Sequence, residues 1–178
     1  PLGLVPREHV RGAVGRRRPR LLGQAGALVA GLGFLGTFAL MVEAGRDQAV
    51  SASVGGLAFT ADRLATFLLL LVFGVSTVVQ AFAVRYLAGD PRAAWFTAGA
   101  SLLTTGSAGL VTAATMVGLA AGWTVTGAAL CLLLGMYWHL PAARDGVRRT
   151  ATAFVVGDLA LWAAVVMATA TWGSIDLR

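Results

Sequence analysis

An aspartate stands at position 158 in the run AFVVGDLALWAAVV, seven residues into an apolar stretch with the length of a membrane helix. An unpaired carboxylate in hydrocarbon costs on the order of 3 kcal/mol, so such a residue is placed to face protein or water. Two uses for Asp158 are open: a station on an ion or proton path, or a structural hydrogen bond to a neighbouring helix. A second polar point lies in GLAAGWTVTGAALCLLLGMYW, residues 118–138, where Trp123 and Thr124 interrupt another long apolar run. A threonine is tolerated there without any function, because its hydroxyl can return to a carbonyl three or four residues back. Residues 124 and 128 share a helix face, as do 154 and 158, and the small Ala128 permits close approach. Trp123 and Thr124 are therefore expected to face the bundle interior with Asp158, as candidates for a proton path.

The remaining reactive side chains have simpler readings. Asp62 precedes RLATFLLLLV and suits a helix N-cap beside Arg63, and Glu43 suits a boundary at the membrane surface. His9 and His139 have no partner at metal-ligand spacing, so no metal is expected and both are read as interfacial or solvated. No histidine lies at membrane depth to activate a serine or threonine, so no catalytic residue is expected. The glycines occur singly within apolar runs, which fits close helix packing and not a phosphate loop or any other cofactor site. Cys131, the single cysteine, cannot form an internal disulfide.

These residues must be held by membrane helices. Hydrophobic residues make up 57% of the 178, charged residues 12%, and mean hydropathy is +0.77, more apolar surface than one soluble core could hide. The sequence predicts an all-α polytopic membrane bundle with spans at about 21–42, 64–84, 93–113, 116–138 and 151–172. The third and fourth are so closely spaced that they form a tight helical hairpin. Between the first two, VSASVGGLAF is β-prone around Gly55 and Gly56, which predicts a short hairpin on the outer face.

All 14 basic residues are arginine, and the net charge is +6. Eleven lie in the segments 7–20, 85–92 and 139–149, and the other three are Arg46, Arg63 and Arg178. That asymmetry alternates correctly across five helices, so the arginine-rich side, including the leader 1–20, is assigned to the cytoplasm. The arginines act as topology signals in short loops, and nucleic acid is set aside as a partner. The apolar run after the leader is too long for a signal-peptide core and four more follow it, so it is a membrane helix. PLGLVP at the start reads as the tail of an apolar element, and the chain is expected to be a fragment of a longer protein.

Three stretches in order carry a family resemblance. ADRLATFLLLLVFGVSTVVQAFAVRYLAGDPRAAWF (61–96) resembles the helix and Y…GDP loop of the antiporter-like membrane subunits of respiratory complex I, the L or chain 5 family. GWTVTGAALCLLLGMYW (122–138) is similar to that family's next signature, and RRTATAFVVGDLALWAAVVMATATWGSIDL (148–177) to its AF…GD…GSLD helix and exit. The resemblance implies inverted repeats with broken helices, carrying protons along buried glutamate, lysine and water in step with NADH-quinone oxidoreduction. It also implies that this segment is the N-terminal part of a larger domain. Gly89, Asp90 and Pro91 are then a structural turn that binds no nucleotide.

The family's channel glutamate aligns with Thr124, which has no titratable proton near neutral pH. Asp158, matching the family's GD aspartate, is left as the ionisable candidate. That departure keeps two alternatives in view. One is the membrane subunit of a two-component inorganic-carbon pump, the other a non-conducting membrane scaffold. Implied partners are other membrane subunits, the lipid bilayer and protons, in the inner membrane of a bacterium. The chain is at most a subunit of a larger oxidoreductase, with no catalytic centre of its own.

Overall fold

The computed structural model describes residues 17–44, 49–55, 57–173 and 177. Most of the leader with His9, and also Arg46, Gly56 and Arg178, lie outside them. Five long helices and one hairpin follow in the order α1 (Arg17–Ala44), β1 (Val50–Val54), β2 (Leu57–Ala61), α2 (Arg63–Tyr86), α3 (Ala93–Thr112), α4 (Met116–Leu134) and α5 (Pro141–Trp172), with a 3-10 turn at Gly135–Tyr137. Segments in α1, α2, α4 with its 3-10 turn, and α5 are long and apolar enough to cross a membrane, which makes this a multi-pass membrane protein.

α3 is different in kind. Its 20 residues are diluted by serine, threonine and glycine, and it packs against α1, α2 and α4. The hydroxyls of Thr97, Thr104, Thr105 and Thr112 each donate to the carbonyl four residues back, at 2.8 to 2.9 Å. Each of these four hydroxyls is thereby satisfied within its own helix, which is how such a sequence is held at membrane depth.

Glycine sets the α3–α4 contact. A Cβ at Gly106 would lie 2.9 Å from the backbone nitrogen of Thr126, and one at Gly122 would lie 2.8 Å from that of Leu110. Two backbones therefore touch without intervening side chains, the geometry small residues allow in membranes. The link between these helices is only Ala113, Ala114 and Thr115, and Thr115 caps α4 by accepting from the Gly118 N–H at 3.1 Å.

The hairpin is antiparallel, pairing Val50 with Ala61 through to Val54 with Leu57, and Gly55 turns it with φ +60°. It is tied to the helices. Phe59 forms a bridge with Ala113, the Ala114 N–H donates to the Ala58 carbonyl at 3.0 Å, and the Leu177 N–H donates to the Ala114 carbonyl at 2.8 Å. These bonds satisfy backbone groups of a loop that would otherwise be open at the membrane surface. At the start of α2, Asp62 Oδ1 accepts from the Ala65 N–H at 2.7 Å, a side-chain N-cap.

Two helix bounds differ from the sequence-based expectation. α5 begins ten residues before the expected start at 151, with Pro141 at its first position. Hydropathy marks the part of a helix that lies in lipid, whereas Pro141 and the alanines after it continue the same helix into water. At 1.5 Å per residue its 32 residues span about 48 Å, well beyond a core of about 30 Å. α1 likewise begins at Arg17, inside the expected leader.

The orientation is open to labelling. In the full-length protein with every cysteine, Cys131 included, replaced by serine, Ser53→Cys on the exposed strand β1 is expected to react with a membrane-impermeant thiol reagent added from outside. Labelling only from the cytoplasmic side would overturn the arginine-based topology.

Candidate functional site on the α4–α5 face

Four residues of α5 at helical spacing, Phe154, Asp158, Trp162 and Val165, lie along the stripe turned toward α4. Phe154 fits against Gly127, where a Cβ would stand 2.6 Å from its ring, and its ring centroid lies 5.9 Å from that of Trp123 at 49°. Two turns further on, the Trp162 indole Nε1–H donates to the Thr124 hydroxyl at 3.1 Å, and that hydroxyl donates to the Ala120 carbonyl at 3.0 Å. The Thr124 oxygen is thus engaged twice. Asp158 sits one turn from each of these contacts. The residue is half-buried, yet its Oδ1 is fully covered and has no hydrogen-bond partner among the described residues.

A covered carboxylate oxygen without a donor is an unusual arrangement, because burial removes its water and nothing replaces it. The arrangement suits a site that takes a water or a further donor. Trp123 is on the same helix as Thr124 but is turned partly outward, 42% exposed, with one ring face on Phe154. The structure thus brings Thr124 to Trp162 and Trp123 to Phe154, with Asp158 between the two contacts along α5.

The turn residues lie elsewhere. Gly89 adopts φ +95°, and Asp90 Oδ1 accepts from the Arg92 N–H at 2.8 Å, so GDP closes the link between α2 and α3. The Arg92 guanidinium lies 4.8 Å from the centre of the Tyr137 ring. Cys131 is a free, half-buried thiol, and among the described residues no group of histidine, cysteine and carboxylate side chains could hold a metal ion.

Sequence reasoning missed a second polar constellation. Gln80 on α2, 3% exposed, donates through Nε2 to the Ser76 hydroxyl at 3.0 Å, and Ser76 meets Thr104 of α3 at 2.6 Å. Thr104 donates onward to the Ala100 carbonyl, so Ser76 must donate to Thr104 and the chain has a fixed direction. Gln80 Oε1 is buried without a partner and faces α1 at Gly26. The signal was in the sequence, since serine and glutamine four residues apart in an apolar helix share one face. Trp162 was missed too, because nothing local tells an indole that donates across helices from one that only fills space.

The family described as NADH-Ubiquinone oxidoreductase (complex I), chain 5 N-terminus matches residues 52–97, which run from the hairpin through α2 into α3. NADH-quinone oxidoreductase subunit L of Mycobacterium tuberculosis is 30% identical over 167 residues, 88% of this chain and 26% of the relative. NAD(P)H-quinone oxidoreductase chain 5 of Synechocystis is 28% identical over 120 residues, 67% of this chain and 18% of the relative. A probable inorganic carbon transporter subunit, DabB1 of Halothiobacillus neapolitanus, is 30% identical over 115 residues, 65% of this chain and 21% of the relative. The chain therefore spans about a quarter of the length of these curated relatives or less. Over most of its own length it is a relative of the antiporter-like membrane subunits of complex I, the subunit L and chain 5 family.

Proposed function

We propose that the protein containing this chain is an antiporter-like membrane subunit that takes part in proton translocation coupled to NADH-quinone oxidoreduction, in a bacterial inner membrane and together with other membrane subunits. The observation that carries the reading is Asp158, an acid within a membrane-spanning helix whose Oδ1 is covered and has no partner among the described residues. An acid so placed can exchange a proton with a water chain or a neighbouring acid, which a satisfied structural carboxylate does not do. Thr124 and Trp123 flank that path on α4, and Trp162 holds the Thr124 hydroxyl in a fixed direction. A hydroxyl at this position can pass a proton along a hydrogen-bonded chain, but it cannot hold a net charge.

The match to a probable inorganic carbon transporter subunit supports a second reading, in which the same path feeds a carbon pump. Thr124, where the resembled family has its glutamate, favours it further. Deleting the gene separates the two. Under the first reading, membranes lose most NADH-driven proton uptake and growth is indifferent to carbon dioxide supply. Under the second, NADH-driven proton uptake is unchanged and growth requires elevated carbon dioxide. If neither changes, both readings fail and a scaffold role remains.

A further inference from the structure

We propose that one anionic phospholipid sits astride the cytoplasmic half of α2, with an acyl chain on each side of the Phe82 ridge and its phosphate at Arg85 and Arg92. Phe82 and Tyr86 stack along α2 with ring centroids 5.7 Å apart, and they are 66% and 75% exposed, forming an aromatic ridge. Phe82 borders a groove on each flank. One, about 580 Å³, runs between the ridge and Phe96, Met136 and Tyr137. The other, about 750 Å³, runs between the ridge and Gln24, Leu28 and Thr77.

Each groove ends at an arginine. Arg92 lies over the Tyr137 ring that walls the first, and Arg85 lines the second. Asp90 stands in the turn, where its Oδ1 accepts from the Arg92 N–H at the start of α3, so an anion here is held by the two guanidinium groups and not by the helix end. Two apolar grooves that share Phe82, one lined by Arg85 and the other walled by the Tyr137 ring under Arg92, match a two-chain lipid with an anionic headgroup, and the arginine-rich side is the leaflet where such lipids concentrate.

The test uses the full-length protein purified in detergent and supplied with phosphatidylglycerol or with phosphatidylcholine of the same chains, with retained lipids counted by native mass spectrometry. The wild type is expected to keep one phosphatidylglycerol that phosphatidylcholine does not replace. The double variant Arg85→Gln, Arg92→Gln is expected to bind it roughly tenfold more weakly or worse. Val79→Trp, which fills the first groove without changing charge, should evict it as well. On the wild type alone, phosphatidylglycerol with a photoreactive acyl chain should label the peptides carrying Phe82 and Tyr137. Equal retention of the two lipids, full retention by the double variant, or absence of label because another protein segment covers Phe82 would overturn the proposal.

Discussion

Asp158→Asn in the full-length protein is expected to lower proton-coupled activity by about a hundredfold, the contribution of a positioned proton-transfer group, while membrane insertion and subunit yield stay normal. The substitution keeps size and shape, so the packing of Phe154 and Trp162 on either side against α4 is retained. What it removes is the acid on which the proposed proton path depends. Asp158→Glu, which keeps the acid on a longer stem, is expected to recover part of the rate. The measurement is NADH-driven proton uptake by inverted membranes, set against quinone reduction in the same preparation. If Asp158→Asn inserts normally and pumps at the wild-type rate, the aspartate is structural, and the proton path through this segment is refuted.

The largest effect on stability is expected from Gly122→Leu. A Cβ here meets the backbone nitrogen and Cα of Leu110 at 2.8 and 2.9 Å, so no rotamer change can relieve it and α3 and α4 must separate. Overpacking of this kind costs about 3 kcal/mol, a large share of the stability of a bundle of this size. Gly109→Ala is the control. It lies on the same helix pair with nothing within 4 Å of the added carbon, and replacing a helical glycine stabilises by roughly 0.5–1 kcal/mol. Thermal unfolding in detergent should show the first variant melting far below wild type and the second at or slightly above it. Equal melting of Gly122→Leu and wild type would mean that the α3–α4 backbone contact is not formed in solution.

Much of the frame was legible in the residues alone. Apolar runs of about 20 residues report helices in lipid because the bilayer leaves backbone groups no other partner, and Gly55 with the β-prone segments around it reports the hairpin. Asp62 before an apolar helix reports a cap for a local reason, since the bond it makes spans only three residues. Asp158 could be singled out as well, because the cost of a charge in hydrocarbon depends on the medium and needs no knowledge of neighbours.

What only the tertiary structure decided is which polar groups meet. The Trp162–Thr124 bond joins residues 38 apart and the Ser76–Thr104 bond joins residues 28 apart, and no local pattern encodes either. The same holds for the setting of α3, which the sequence marks as a span like the others but which is less apolar than those four and packs against α1, α2 and α4. Helix formation in a membrane is set residue by residue through backbone hydrogen bonds within one segment, whereas side-chain pairing between segments depends on crossing geometry. Here that geometry is set by where glycines let two backbones touch, and so by both partners at once.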